Sequence, residues 1–215
     1  AAERVYMRGE TADARNSFIR YLQTFPEGAF SLNANYYIGL IDYNQQNYAS
    51  AAPYLNKVLE YPNNKYSEEA MMMSAEIAYI AKDYAQSLEW YKLLKDRAST
   101  PERRQIAATG MLRSAAMSGN GEETILAATA VLADAKVAPE LESEARYYRS
   151  KALVEANQLA HAVADWEALA KDTRNVYGAE AKYRLAQYLF DAGKTAEAEK
   201  EVLNYLEVST PHTYW

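Results

Sequence analysis

Six times along this chain, once with the sizes inverted, a small residue is followed four positions later by a large apolar one and three positions after that by another. The triplets are Ala14/Phe18/Tyr21, Ala51/Leu55/Val58, Ser87/Tyr91/Leu94, Ile125/Thr129/Leu132, Ala162/Trp166/Leu169 and Ala198/Val202/Tyr205, with steps of 37, 36, 38, 37 and 36 residues between their first members. Side chains at i, i+4 and i+7 share one face of a helix. Three columns in register over the chain therefore predict an array of similar helices. A unit this short cannot bury its apolar face alone and must stack on its neighbours. In the fourth triplet Ile125 and Thr129 invert the small/large order, so altered packing is expected between Met111 and Leu132.

A second set of columns marks a partner helix. Small residues stand at Ala34, Ala70, Ala145 and Ala181, followed two positions later by Tyr36, Met72, Tyr147 and Tyr183 and five later by Gly39, Ala75, Ser150 and Ala186. The small columns let a neighbouring helix approach closely. From each first alanine to the head of the next helix is fourteen residues: Ala34 to Tyr48, Ala70 to Tyr84, Ala145 to Leu159, Ala181 to Thr195. The turn within a pair is thus fixed, and length variation falls between pairs, where Phe25-Pro26-Glu27-Gly28, Tyr61-Pro62-Asn63-Asn64 and Ser99-Thr100-Pro101-Glu102 supply loop chemistry. Thr100 before Pro101, and Ser67 before Glu68 and Glu69, are predicted helix starts.

Composition agrees with an all-α chain. Of 215 residues only 8 are Gly and 6 Pro, too few for the many turns of a sandwich or barrel. The net charge of −6 disfavours a nucleic-acid binder, which concentrates Lys and Arg on one face, and Arg103-Arg104 is too short a run to reverse that. No run approaches 18 apolar residues, so no transmembrane helix is predicted in this stretch. With no cysteine there is neither disulfide nor thiolate zinc site nor cysteine nucleophile, and the compartment is left undecided. The opening AAERVYMRGE carries no apolar signal core.

These columns resemble the tetratricopeptide repeat. Ile38-Gly39 and Leu185-Ala186 fill its Leu-Gly slot, Ala14-x3-Phe18 and Ala162-x3-Trp166 its Ala-x3-Phe slot, Pro26, Pro62 and Pro211 its closing proline, and Gly9 and Gly193 its turn glycine. The resemblance implies an all-α, right-handed superhelical solenoid of antiparallel helix pairs. About six pairs would form one array over residues 1–215, with both ends cutting through a repeat: Ala1–Tyr6 as the second half of a first helix, Pro211–Trp215 as the beginning of another. The period exceeds the family's usual 34 residues, and the family's early tryptophan is absent. The longer connections and the form of Glu180–Ala198 resemble a subgroup found in bacterial envelope proteins, including the outer-membrane assembly lipoprotein and the Tol–Pal accessory protein. That narrower resemblance points to the periplasm or outer membrane rather than the cytoplasm.

Little in the chain suggests chemistry. His161 and His212 stand apart from any second ligand, and carboxylates such as Glu122/Glu123 and Glu140/Glu142/Glu144 crowd helix starts, where they face the positive end of the macrodipole. No phosphate loop, dinucleotide fingerprint or nucleophile elbow occurs, and Gly119-Asn120-Gly121 reads as a turn. No catalytic, cofactor or metal residue is predicted. Met71-Met72-Met73 cannot share one face and reads as core filling.

Tyrosine, at 19 residues, is the unusual feature. In the family, columns equivalent to Tyr36, Met72, Tyr147 and Tyr183, to Tyr43, Tyr79 and Phe190, and between them to Leu40, Glu76, Lys151 and Gln187, face the concave wall where peptides bind. These eleven positions are the candidate partner-binding residues. Two roles are open to the tyrosines: rigid contact area for a peptide, or packing between adjacent first helices with one edge showing. Tyr48, Tyr84, Tyr91 and Tyr205 are expected in the core. The expected function is a non-enzymatic scaffold binding a protein or peptide segment in a concave groove. A spacer or assembly arm of the bacterial cell envelope, and a regulatory region of a larger enzyme or signalling protein, are the alternatives; the partner and the oligomeric state cannot be read.

Overall fold

A computed structural model describes residues 2–172 and 176–208. Twelve helices account for the secondary structure of those residues, with no strand among them: α1 Ala2–Met7, α2 Thr11–Thr24, α3 Ser31–Asn44, α4 Tyr48–Glu60, α5 Ser67–Ile80, α6 Tyr84–Arg97, α7 Pro101–Ser118, α8 Gly121–Leu132, α9 Pro139–Glu155, α10 Leu159–Leu169, α11 Val176–Asp191 and α12 Thr195–Val208. They form two compact units, Ala1–Gly110 and Met111–Trp215, each built of helices packed in sequence-adjacent pairs. The expected start of a further helix at Pro211–Trp215, with Pro211 and His212, lies outside the described residues.

Second helices begin at Tyr48, Tyr84, Leu159 and Thr195, as the fourteen-residue spacing requires, and Ala107 to Gly121 extends the rule to the fourth pair. The turn has one cause throughout. Gly9, Gln46, Lys82, Gly119, Asn157 and Gly193 recur with the same period and all have φ between 59° and 83°. A left-handed residue just past a helix lets the next N–H reach back five residues, as Asn47 N–H does to Asp42 O at 2.8 Å and Gln158 N–H to Leu153 O at 2.8 Å. Three of the six positions are not glycine, so the turn is less evident in sequence than in the backbone.

The small and large columns meet across each pair. Gly39 faces Leu55 so closely that an added Cβ would lie 2.8 Å from a leucine methyl. Sixteen residues separate the two, and the same separation relates Ala75 to Tyr91 and Ser150 to Trp166, all buried. The fourth pair departs from the expected triplet. In α8 Thr124, Ala127, Ala128 and Val131 are buried, while Thr129 is exposed and Ile125 and Leu132 are half-buried, so the triplet Thr124/Ala128/Val131 sets a core register one residue earlier than Ile125/Thr129/Leu132. The physical reason is an exchange of sizes. Leu112, 0 % exposed, occupies the small first-helix position, and Ala128, 0 % exposed, occupies the large second-helix position. Both columns lose their contrast there, which hides the register from a search for small-then-large.

Other expectations resolve residue by residue. Thr100 caps α7, its hydroxyl accepting from Arg103 N–H at 3.2 Å. Ser67 is no cap; it is the first residue of α5, and its hydroxyl accepts from Asn64 N–H at 3.0 Å to fasten the preceding loop. Met71 and Met73 are core, Met72 half-buried. Tyr91 is buried as expected, whereas Tyr48 and Tyr84 are only half-buried, because a residue heading a helix lies at the rim of the pair, and Tyr205, near the end of α12, is half-buried as well. Two buried carboxylates escaped the pattern search. Asp42 is clasped by Arg15 at 2.6 and 2.8 Å and accepts from Ser50 at 2.6 Å, while Asp165 is held by Arg149 at 2.7 and 2.8 Å and by Arg146 at 3.3 Å. Asp42 is a lone charge in an otherwise apolar column and Asp165 stands in a column of mixed residues, so periodicity gives no signal, and each is tolerated because an arginine fork satisfies it.

Candidate partner-binding cleft

The first unit shows how adjacent first helices are joined. The Tyr36 phenol donates to Glu69 at 2.6 Å, linking α3 to α5, and its ring stacks on Tyr66 with centroids 3.8 Å apart. Burial, then the Glu69 hydrogen bond, pushes the Tyr36 phenol far above its ordinary pKa. Two turns along α3, Tyr43 donates to Glu76 and meets Tyr48 edge-on at 5.8 Å. Burial raises the Glu76 carboxyl. Tyr36 is only 5 % exposed, and Leu40, Tyr43 and Ile77 pack over the same cluster, so this cradle is filled by its own side chains.

The second unit repeats it. Tyr36, Tyr66 and Glu69 recur 111 residues later as Tyr147, Tyr177 and Glu180. Tyr147 stacks on Tyr177 at 4.7 Å, and burial followed by the charge and hydrogen bond of Glu180 raises its phenol pKa. Around that anchor the residues change. Leu40, Tyr43, Met73 and Ile77 become Lys151, Val154, Arg184 and Tyr188. In place of a closed cluster there is a cleft of about 800 Å³ between α9, α10 and α11, floored by Trp166, Leu169, Tyr177 and Tyr188 and rimmed by Lys151, Glu155, Gln187 and Asp191. That size and an apolar floor with a few polar groups are those of a binding site.

Of the eleven candidates, Tyr147, Lys151 and Gln187 line this cleft. Tyr36 is core; Leu40, Tyr43, Met72, Glu76 and Tyr79 are half-buried, Tyr79 lying 5.2 Å from the Tyr84 ring. Tyr183 and Phe190, 40 % and 63 % exposed, stand on α11 outside the cleft. The floor residues were not foreseen. Tyr177 and Glu180 had a signal, the recurrence of Tyr66 and Glu69 at one interval, but Trp166 and Leu169 sit in a core column and reach the cleft only because nothing fills it. His161 is exposed on α10, and His212 lies outside the described residues. Among the described residues no group of His, Asp and Glu is placed to hold a metal ion, and no helix is long and apolar enough to cross a membrane.

Pairs of helices repeating in register, each paired helix packing on its sequence neighbour, define an α-helical repeat protein. The chain belongs to the tetratricopeptide repeat family, whose model matches residues 2–67, 36–101 and 147–212. Repeats of this family typically serve as non-catalytic protein-interaction scaffolds. None of the three matched stretches enters residues 102–146, which contain the size-exchanged pair α7 and α8. No curated protein matches the chain.

Proposed function

We propose that this protein is a non-enzymatic scaffold that binds an extended segment of a protein partner in the cleft of the second unit. One observation carries the proposal: a cradle that its own side chains fill in the first unit stands open in the second, with an aromatic floor and, at its rim, polar residues that have no partner among the described residues. Aromatic floors give contact area at low entropic cost, and rim groups fix orientation. Random twelve-residue peptides displayed on phage and selected on the chain should bind tenfold or more weakly to Lys151→Glu and Gln187→Leu. Both positions are exposed, so melting temperatures should stay within a degree or two. Selected peptides that bind these variants and the parent equally would place the binding face elsewhere. An envelope setting is supported by the form of Glu180–Ala198 and the long period; the complete reading frame tests it by the presence or absence of a signal sequence or lipid anchor.

A further inference from the structure

The two cradles share a lower rung and differ in the upper one. In the first, Tyr43 crosses from α3 to Glu76 on α5 and packs against Tyr48. The residues 111 positions on are Val154, Gln187 and Leu159: a phenol is gone, a carboxylate has become an amide, and the second ring is aliphatic. Val154 and Leu159 are 39 % and 41 % exposed, and Gln187 has no hydrogen-bond partner among the described residues. A phenol O–H donates to an amide oxygen as it does to a carboxylate. The second cradle thus keeps the acceptor and lacks the donor, and the missing piece has the shape of a tyrosine side chain.

Charge at the same level completes the description. Glu155 and Asp191 are the last residues of α9 and α11, both without a partner among the described residues, and neither helix has a basic residue in its last turn. The helix C-terminus adds its own negative partial charge, so this end of the cleft favours a cation. Of the nearby cations, Arg184 is engaged by Glu180 at 3.4 Å, which leaves Lys151 alone against two carboxylates. The corresponding positions of the first cradle, Asn44 and Ile80, are uncharged.

We propose that the partner segment places a tyrosine side chain in the gap between Val154, Leu159 and Gln187, with a lysine or arginine next to it facing Glu155 and Asp191. The proposal rests on the cleft being the binding face and names the chemistry of its occupant. Titration of the full ¹⁵N-labelled chain with N-acetyl-tyrosinamide tests it. Saturable shifts are expected at the Val154, Leu159 and Gln187 amides and the Trp166 indole, with N-acetyl-phenylalaninamide roughly threefold to tenfold weaker for want of the hydroxyl. Acetyl-Tyr-Lys-amide should bind more tightly than acetyl-Tyr-Glu-amide, the gap narrowing at high salt. Val154→Tyr, which restores the residue of the first cradle, should abolish binding, and Tyr43→Val should create a second set of shifts around Leu40 and Glu76. Should Val154→Tyr fail to fold, Leu159→Tyr carries the same expectation. Absence of saturable shifts, or binding that survives a folded Val154→Tyr, overturns the proposal. Phage-selected peptides that need the cleft but contain no tyrosine overturn the tyrosine while leaving the cleft as the binding face; peptides indifferent to the cleft variants overturn both.

Discussion

The exchange of sizes in the fourth pair can be undone, and the outcome tests whether the two columns are a single packing unit. Leu112→Ala removes a fully buried side chain and should cost about 2–5 kcal/mol through lost transfer energy and the cavity left behind. Ala128→Leu alone presses three more heavy atoms into the filled core around Leu112, at a cost of about 1–3 kcal/mol. Together they restore the order of the other pairs, in which the small Ala75 precedes the large Tyr91, and Ser150 precedes Trp166, at the same sixteen-residue separation. The new Leu side chain then occupies the space the old one vacated. The double variant should lie within about 1.5 kcal/mol of the parent, as volume-conserving core changes do, where simple addition predicts a loss of at least 3. Urea unfolding followed by circular dichroism measures all four corners of the cycle. A double variant as unstable as the sum of the singles would refute the idea that Leu112 and Ala128 exchange roles.

Three further outcomes follow from the geometry. Gly110→Ala should destabilise, because the added Cβ would meet the buried Tyr91 ring at 2.4 Å; the overpacking cost of about 1–3 kcal/mol exceeds the roughly 1 kcal/mol gained in helix propensity, and a raised melting temperature would contradict it. Lys82→Gly should stabilise by up to about 1 kcal/mol, since Lys82 holds φ at 62° in the turn where Gly9 and Gly193 already serve; an unchanged denaturation midpoint would show that the turn is not strained. At alkaline pH the phenols of Tyr36, Tyr147 and Tyr177 keep their protons beyond the ordinary value near 10, and Tyr37 is pushed up to about 12. The folded chain then binds more protons than the unfolded one, so stability is fully present below about pH 10 and falls as pH rises through the folded values. Absorbance at 295 nm should show a late-ionising set of tyrosines that joins the main titration in urea; a single transition near pH 10 in the folded chain would refute the burial argument.

What the sequence made visible was whatever repeats. Side chains at Ala34, Ala70, Ala145 and Ala181 are all buried because each solves the same close approach, and the fourteen-residue spacing located the starts of α4, α6, α10 and α12. Single departures were not visible. Asp42 and Asp165 depend on arginines from other helices, and Leu112 with Ala128 is a compensation between two positions, each of which looks like noise alone. The site was half visible for the same reason. Periodicity selected the columns from which Tyr147, Lys151 and Gln187 come, but it treats Tyr36 and Tyr147 as equals. Their difference, 5 % exposure against a place in an open cleft, is decided by neighbours such as Leu40 and Met73 in one unit and Lys151 and Arg184 in the other.

That contrast divides the tyrosines by level along the helix rather than by residue type. The lower rung, Tyr36–Tyr66–Glu69 or Tyr147–Tyr177–Glu180, is kept in both units and ties successive first helices together whether or not anything binds. A change there alters the spacing of α9 and α11, so loss of binding in Tyr147→Ala would mix architecture with recognition. At the upper level the first unit closes its cradle with Tyr43 and Glu76, and the second leaves Val154 and Gln187 unjoined. Because the lower rung already supplies the inter-helix tie, the upper positions can change without loss of the stack. The cleft opens where a repeated structural contact is retained at one level and released one level further on.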